Sequence, residues 1–394
     1  MSKRFPKIML FDLVLTLFVL SVAILFTSCS DDYDNSVEKV FSSDGIVFTL
    51  NELWGYYEVT GYNGNAENVV IPSMYQSRKV KKIADKAFLG CSGIVEVKIE
   101  EGIEEICANA FGKCSGLSNI TIPYGVKNIG SSAFYNCFKL EKVLIPISVE
   151  SIGSYAFWGC TSLNSIEIPF FVSSIGSKAF EYCTRLANVT VEDCVPDIGS
   201  DAFHETLWYN NQPNGVVYLG KVAYNYKGEM KNGTSIVLKD GTRRIAECAF
   251  YGCSKLVSIT IPHSVYSIGE SAFQKCTGLT NIELPKDLSW IGQSAFAECS
   301  ALTEVHWNPI KCVNYEIDFR DGRIFCDCTN LLKIFISKEC VNVPSYFDLL
   351  GDYNNPYKRT ATIVFDGTKS EWESSMIKGR IYKFSTVVCS DGIY

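Results

Sequence analysis

Apolar positions in this chain return every 23 residues. Between Ile129 and Pro146 the sequence reads IGSSAFYNCFKLEKVLIP, and from Ile152 it reads IGSYAFWGCTSLNSIEIP. An Ala-Phe pair recurs in this register and ends at Phe88, Phe111, Phe134, Phe157, Phe180, Phe203, Phe250, Phe273 and Phe296. A fixed period of about 20 to 29 residues is typical of a leucine-rich-repeat-like solenoid. The pattern therefore predicts one stack of coils rather than two or three globular domains.

Each repeat predicts a helical half followed by a strand half. In the repeat that begins at Ile129, the apolar stripe at helical spacing comprises Ala133, Phe134, Cys137 and Leu140. This stripe favours a short helical segment facing a core, with Ser131 as its cap. Val143 and Ile145 then alternate with outward positions, as in a strand, and Pro146 ends it because proline cannot donate to a ladder. We expect an α/β repeat solenoid, a right-handed coil of 23-residue units with parallel short strands.

Cysteines follow the same register. Those that lie three residues after the repeated phenylalanine are Cys91, Cys114, Cys137, Cys160, Cys183, Cys253, Cys276 and Cys299. Stacked coils would place them in one inward column, and a free cysteine buries well. A disulfide framework is the alternative in an exported chain, although parallel side chains are poorly directed for bridging. The spacings do not fit a zinc site, and Cys328, in the one close pair, is itself in register.

The register breaks after Phe203, where the next Ala-Phe pair comes 47 residues later. The stretch VVYLGKVAYNY predicts two strands joined at Gly220 and Lys221. Ile236 returns to the register, since it lies 23 residues before Ile259. We therefore expect the array to continue through a hairpin that replaces one helical segment.

The interruption is rich in aromatic residues, namely Trp208, Tyr209, Tyr218, Tyr224 and Tyr226. Exposed, these side chains would form a binding patch. Packing over the altered coil is the favoured interpretation, because alternating aromatic residues in a strand more often pack than bind.

The periodic and non-periodic stretches predict a division of the chain. The predicted segments are a lipoprotein signal peptide (1–28), an acidic linker (29–43), an N-terminal cap (44–78), a repeat array (79–206), a hairpin interruption (207–235), the array continued (236–340) and a C-terminal closing module (341–394). Caps are expected because a solenoid needs its exposed ends covered.

The N-terminal residues predict export. Basic residues precede an apolar run from Ile8 to Phe26, and LFTSC ends at Cys29. This order is typical of a secretory signal, and it resembles a bacterial lipobox in which Cys29 becomes the lipidated N-terminus. An uncleaved membrane anchor is the alternative. The acidic SDDYDN that follows resembles a surface-export signal of some Gram-negative lipoproteins, or is a solvated linker. We expect an outer membrane lipoprotein exposed at the cell surface.

Composition and charge exclude several functional classes. The net charge of -7 argues against a nucleic-acid partner, which would favour a basic face. The only histidines are His204, His263 and His306, and they stand in three different surroundings. The sequence contains no Gly-rich phosphate loop, HExxH motif or GxSxG elbow. We therefore expect no enzyme activity, no cofactor and no metal site.

The motif IGxxAFxxCxxLxxIxIP, present from Ile129 to Pro146, resembles that of the BspA-like leucine-rich-repeat family of bacterial surface lipoproteins. The hairpin stretch and the ending, which contains FDGTKSEW, are similar to segments of that family. The resemblance covers roughly Asp44 to Tyr394. It implies a surface or secreted protein that binds host proteins, matrix or other cells, and several members of the family are described as adhesins.

Strand positions between the core residues are expected to point outward and to form a binding face. The candidate positions are Thr121, Leu144, Glu167, Thr190, Thr260, Glu283 and His306. Core columns repeat their chemistry whereas these positions do not, as on a surface free to specialise. The leading hypothesis is adhesion to, or recognition of, host or matrix proteins or other cells through this face. The alternative is an accessory glycan-binding lipoprotein in nutrient capture, with the aromatic hairpin as its site.

Overall fold

The computed structural model describes residues 39–192, 195–309, 324–340, 361–375 and 386–394. The chain divides into two units, Met1–Lys39 and Val40–Tyr394. The fold described below is that of the second unit. The predicted signal peptide, Cys29 and most of the acidic linker lie outside the described residues.

Short strands dominate the described residues. Up to the interruption the elements are β1 (Lys39–Phe41), β2 (Ile46–Asn51), β3 (Tyr56–Tyr62), β4 (Asn68–Ile71), β5 (Met74–Tyr75), β6 (Arg78–Ile83), β7 (Glu96–Ile99), β8 (Glu105–Ile106), β9 (Asn119–Thr121), β10 (Asn128–Ile129), β11 (Lys142–Val143), β12 (Ser151–Ile152), β13 (Ser165–Ile168), β14 (Ser174–Ile175), β15 (Asn188–Val191), β16 (Asp197–Ile198) and α1 (Leu207–Asn210). The later elements are β17 (Gly215–Leu219), β18 (Val222–Lys227), β19 (Thr234–Val237), β20 (Arg244–Ile245), β21 (Leu256–Thr260), β22 (Ser267–Ile268), β23 (Asn281–Leu284), β24 (Trp290–Ile291), β25 (Glu304–Trp307), β26 (Lys333–Ile336), β27 (Thr362–Phe365), α2 (Lys369–Ser374), β28 (Val387–Cys389) and β29 (Gly392–Ile393).

Two columns of parallel strands make the solenoid. The strand face stacks β4, β7, β9, β11, β13 and β15 in one sheet and resumes with β19 and β21 and then with β23, β25, β26, β27 and β28. The short-strand face stacks β6, β8, β10, β12, β14 and β16 and resumes with β18, β20, β22 and β24. Ile129 pairs with Ile106 and with Ile152, each 23 residues away, so the sequence period is the register of the sheets. The predicted solenoid and its period are confirmed.

The expected helical segment of each coil is a run of tight turns instead. The N–H of Phe134 donates to the carbonyl oxygen of Ala156 in the next coil at 2.7 Å, whereas the N–H of Cys137 donates to Phe134 within its own coil at 3.2 Å. Positive φ values at Ser132 (56°) and Asn136 (58°) interrupt right-handed helical geometry. Because alternate amides bond to the neighbouring coil, they cannot also form the i to i−4 ladder of an α-helix. The apolar stripe identified the buried residues correctly but not their backbone conformation.

Phenylalanine and cysteine fill the core in parallel columns. The rings of Phe134 and Phe157 stack with centroids 5.1 Å apart, and equivalent pairs continue along the array. The cysteines from Cys114 to Cys183 are buried beside them, as predicted, and each thiol donates to a phenylalanine carbonyl oxygen of the preceding coil. All cysteines within the described ranges are free.

The predicted hairpin is confirmed as the antiparallel pair β17–β18. Its second strand enters the short-strand face, where Val222 pairs with Arg244. Tyr224 then lies next to Phe203 in the core, with ring centroids 5.8 Å apart, and its hydroxyl accepts a hydrogen bond from the Phe203 N–H at 2.8 Å. The hairpin therefore supplies both a strand and a core aromatic ring to the coil that lacks the repeat motif.

Irregular elements lie at both ends of the array. At the N-terminal end, β2 and β3 form an antiparallel pair, and β3 joins the short-strand face through β6. At the other end, β27 and β28 extend the strand face in parallel, and β29 pairs antiparallel with β28. Helix α2 begins with a capping box between Thr368 and Glu371 and buries Trp372. These elements extend the ladders of the array and replace the repeat motif at its edges.

Candidate functional site

The candidate positions of the strand face lie in one register column, as expected from their spacing. Lys98 pairs with Thr121, Glu167 pairs with Thr190, and His306 pairs with both Glu283 and Phe335. Leu144 follows directly after β11, whose Val143 pairs with Ile120. The exposed members of this column are Thr121, Leu144, Glu167, Thr190, Thr260 and Glu283. The column therefore presents changing side chains on a fixed backbone.

The C-terminal part of the strand face is polar and aromatic. The imidazole of His306 stacks on the ring of Phe335 with centroids 4.4 Å apart and is half-buried. Glu283 accepts a hydrogen bond from Asn308 Nδ2 at 3.2 Å. These contacts hold the side chains of His306 and Glu283 in place. The two side chains are therefore less free to change conformation when a partner binds.

Exposed apolar side chains concentrate in the N-terminal half of the array. Tyr124, Ile147 and Phe170 occupy one position in three successive coils, directly after the proline that follows each strand. With Leu144 and Phe171 they form what we call the apolar ridge. Leu144 is 66% exposed and Tyr124 is 68% exposed. A contiguous exposed apolar patch of this kind is typical of an interaction surface.

Sequence reasoning missed most of the apolar ridge. It placed only Leu144 on the candidate face, because strand alternation does not extend to Tyr124, Ile147 and Phe170, which lie in turns. The 23-residue spacing of Tyr124, Ile147 and Phe170 was a signal available in the sequence. The corresponding position in the later coils carries Asp240, His263 and Lys286, so the apolar character is confined to one part of the array.

Ion pairs join neighbouring coils of the array. Lys127 Nζ lies 2.6 Å from a carboxylate oxygen of Glu150, and Lys81 lies 2.7 Å from Glu104. Both pairs are 23 residues apart and so join adjacent coils. The Lys127 amine has a raised pKa, because it donates a hydrogen bond to Glu150 and is attracted by its charge. Lys127 and Glu150 each follow a ridge residue by three positions, so charged side chains accompany the apolar strip, as is common in protein–protein interfaces.

The aromatic residues of the hairpin pack rather than protrude. Tyr209 and Tyr224 are buried, and Trp208, Tyr218 and Tyr226 are half-buried against the core. Burial raises the pKa of Tyr224 far above its usual range. These five residues therefore present little aromatic surface to a ligand in this conformation.

The three histidines occupy separate surroundings. His204 Nδ1 lies 3.7 Å from the buried carboxylate of Glu181, His263 is exposed in a turn, and His306 belongs to the strand face. Within the described residues no group of three or more His, Cys, Asp or Glu side chains is placed to hold a metal ion. In the same ranges, no helix has the length and hydropathy needed to cross a membrane.

The repeat decides the family. The sequence profile described as "BspA type Leucine rich repeat region" matches residues 81–208 and 219–347, with 6 copies. The chain belongs to this BspA-type leucine-rich-repeat family. The two matched ranges leave out residues 209–218, which are part of the interruption. The resemblance expected from the motif is thereby confirmed.

Solved structures of bacterial leucine-rich-repeat proteins are similar to this family member. A leucine rich cell surface protein from Faecalibacterium prausnitzii A2-165 is 24% identical, with 86% of this chain and 98% of that chain covered and a TM-score of 0.42. The leucine rich repeat protein of T. pallidum is 27% identical over 60% of this chain and 89% of its own, with a TM-score of 0.39.

A leucine-rich repeat protein from Bacteroides ovatus ATCC 8483 is 24% identical over 82% of this chain and 99% of that chain, with a TM-score of 0.31. These TM-scores are low, so the family assignment rests on the repeat. Comparison with functionally curated proteins finds no match for the chain.

Proposed function

We propose that this chain is a surface-displayed, lipid-anchored binding protein that recognises a host or matrix protein through its strand face. The observation that carries the proposal is the apolar ridge, to which the strand face contributes Leu144. Burying exposed apolar surface stabilises a complex by about 25 cal/mol per Å² removed from water. Exposing such a strip to water costs free energy. A partner that covers the strip is therefore the simplest explanation for its apolar side chains.

The solenoid architecture supports this role. Parallel coils hold the ridge and the strand column on a rigid frame, and repeat arrays commonly use such extended surfaces to bind partners. The residues of the ridge differ from coil to coil, whereas the core columns repeat. The repeat family and its solenoid are typical of binding scaffolds, so binding accounts for the surface better than catalysis does.

The binding test uses the chain from Ser30 to Tyr394 and immobilised fibronectin and fibrinogen in surface plasmon resonance. We expect saturable binding that Leu144→Glu and Ile147→Glu each weaken by about tenfold or more, because a charge would be desolvated without a partner. Val237→Glu is the matched control, since Val237 is 75% exposed on the strand face but lies beyond the interruption. Equal losses in all three variants, or an absence of saturable binding, would argue against the proposal.

Lipid anchoring is a separate part of the proposal, and its support is the sequence around Cys29. Mass spectrometry of the mature N-terminus tests it directly. A diacylglyceryl-modified Cys29 is the expected result, and Cys29→Ala should prevent both modification and membrane retention. An intact Met1 in the mature protein would contradict the anchor while leaving the binding proposal in place.

A further inference from the structure

A groove lies on the short-strand face where the hairpin interrupts the array. One sheet of this face ends at β16, and the next begins with the hairpin strands β17 and β18. A cavity of about 510 Å³ spans this break and is lined from both sheets. The interruption therefore leaves a concave surface at the point where two regular runs of coils meet.

Glycines form the floor of the groove. Gly176, Gly199, Gly269 and Gly292 line the cavity, each directly after the buried isoleucine of its coil. A Cβ at Gly176 would lie 2.3 Å from the backbone nitrogen of Ser154, so close packing of the coils keeps side chains off the floor. The walls carry Asp197, Arg244 and Trp290 on one side and Ser177, Glu247 and Glu270 on the other.

The polar walls are fixed by contacts across the break. Glu247 Oε2 accepts hydrogen bonds from Ser177 Oγ at 3.0 Å and from the Ser200 N–H at 2.8 Å. The guanidinium of Arg244 forms an ion pair with Asp197, and its Nε donates to the Tyr266 hydroxyl at 2.9 Å. Both walls are thus held in place before any ligand arrives, which lowers the entropic cost of binding.

The side chains of Glu270 and Trp290 are available for a ligand. The carboxylate of Glu270 has no hydrogen-bond partner among the described residues, and its pKa is raised by partial burial and by the charge of Glu247. The indole of Trp290 is 38% exposed at the same cavity. An aromatic face offers a stacking platform, and a carboxyl group accepts hydrogen bonds from hydroxyls.

The charges of the walls disfavour an anionic ligand. Arg244 and Asp197 neutralise each other on one wall, and the carboxylates of Glu247 and Glu270 on the other wall would repel an anion. A neutral molecule rich in hydroxyl groups satisfies both walls and can lay its C–H face on Trp290. We propose that this groove binds a neutral oligosaccharide, with Trp290 as the stacking platform and Glu270 as a hydroxyl acceptor.

The repeat spacing suits an extended chain of sugars. Neighbouring coils are 5.1 Å apart, as the stacked rings of Phe250 and Phe273 show. One pyranose unit of an extended glycan advances by a similar length, so successive units would meet successive coils along the glycine floor. This site lies on a different face from the apolar ridge and does not depend on the protein-binding role proposed for that ridge.

The test is titration calorimetry of the chain from Ser30 to Tyr394 with cellohexaose, maltohexaose, xylohexaose and mannohexaose. We expect at least one hexaose to bind, with little change between low and high salt because the ligand is uncharged. Trp290→Ala should raise the Kd by about tenfold or more, and Trp290→Phe should recover part of the loss because it keeps an aromatic face. Glu270→Gln should weaken binding severalfold.

Controls separate this site from the rest of the molecule. Trp54→Ala removes an indole that is 72% exposed in the β2–β3 turn and should leave hexaose binding unchanged. Leu144→Glu should likewise leave it unchanged. Failure of all four hexaoses to bind the unsubstituted chain overturns the proposal, as does equal affinity of Trp290→Ala. Salt-sensitive binding of hexalysine that is lost in Glu270→Gln, without hexaose binding, would assign the groove to cationic peptides instead.

Discussion

The thiol of Cys137 donates a hydrogen bond to the carbonyl oxygen of Phe111, 3.2 Å away in the preceding coil. The same carbonyl oxygen also accepts from the N–H of Cys114 in its own coil. The cysteine column therefore fills space and joins adjacent coils at once. This arrangement makes packing, rather than cross-linking, the contribution of these residues in the described structure.

Removing one thiol from the middle of the column should destabilise the fold. Cys137→Ala leaves a small cavity and is expected to lower the free energy of unfolding by about 1 to 2 kcal/mol. Urea unfolding followed by circular dichroism measures this change. Cys91→Ala is the control, because Cys91 lies at the start of the column and is only half-buried. A loss in Cys91→Ala equal to that in Cys137→Ala would contradict this account.

The thiols of Cys107 and Cys248 should become reactive at a higher pH in the folded chain than in the unfolded chain. Burial raises the pKa of Cys107 and of Cys248 to about 11, so at pH 8 about one in a thousand of these thiols is ionised. Alkylation by iodoacetamide, measured by peptide mass spectrometry, should increase about tenfold per pH unit from pH 8 to 10. In the urea-unfolded chain, the alkylation rate should instead reach half of its maximum at about pH 8.5. A half-maximum near that value in the folded chain would contradict the predicted shift.

The same shifts carry a consequence for stability. A thiol with a raised pKa in the folded state keeps its proton at a pH where the unfolded thiol loses it. The folded state then binds more protons, so the free energy of unfolding should fall as pH rises above about 8.5. Alkaline urea titrations of the unsubstituted chain and of Cys248→Ser would measure this slope. The slope should be shallower in the variant, and identical slopes would mean that Cys248 does not contribute.

Glycine is required where coils approach most closely. A Cβ at Gly153 would lie 2.5 Å from the backbone nitrogen of Ser131, and backbone atoms cannot move aside cheaply. Gly153→Ala should therefore lower the free energy of unfolding by about 2 kcal/mol or more. Gly93→Ala is the matched control, since no atom lies within 4 Å of its added Cβ. Urea midpoints compare the two variants, and equal midpoints would show that the coils can separate to admit a methyl group.

The hairpin should depend on one buried hydroxyl. Tyr224→Phe removes the acceptor of the Phe203 N–H, which is then buried without a partner, at a cost of about 1 to 3 kcal/mol. Tyr218→Phe removes a comparable bond from the Lys239 N–H, but that site is exposed and water can replace the hydroxyl. Thermal unfolding should therefore separate the two variants. A larger loss in Tyr218→Phe would contradict the assignment of Tyr224 as the core residue of the interrupted coil.

Much of the fold could be predicted from spacing alone, since the 23-residue period is the strand register itself. Ile129, Cys137 and Val143 are buried as their positions in the repeat indicated. The turn conformation around Ser132 could not be predicted, because it depends on hydrogen bonds to the next coil and a single repeat shows only local apolar spacing. The hairpin could be predicted, because the repeat spacing changes after Phe203 and the inserted residues contain a turn sequence between two strand patterns.

The candidate sites were harder to predict. The outward column of Thr121 and Glu167 follows from strand alternation, so its placement was accessible. The groove could not be predicted from strand alternation, because it forms only where β16 and the hairpin do not pair. One signal was nevertheless present: the position two residues after the isoleucine is serine in four successive coils, from Ser131 to Ser200, and is acidic in the next two, at Glu247 and Glu270. In a repeat protein, a change of residue chemistry at one repeated position indicates a candidate site.

Both faces of the array lose their strand ladder at the same place, after Val191 and after Ile198, and resume beyond the hairpin. Between these points the two runs of coils are joined by side-chain contacts of Glu247 and Arg244 and by one backbone hydrogen bond, from the Glu247 N–H to the Ile198 carbonyl oxygen, but not by a continuous ladder. Under tension applied along the array, the contacts between the two runs of coils should therefore break first. The two runs should then unfold as two successive mechanical units. A surface protein pulled by a bound partner would give way there before its coils unravel.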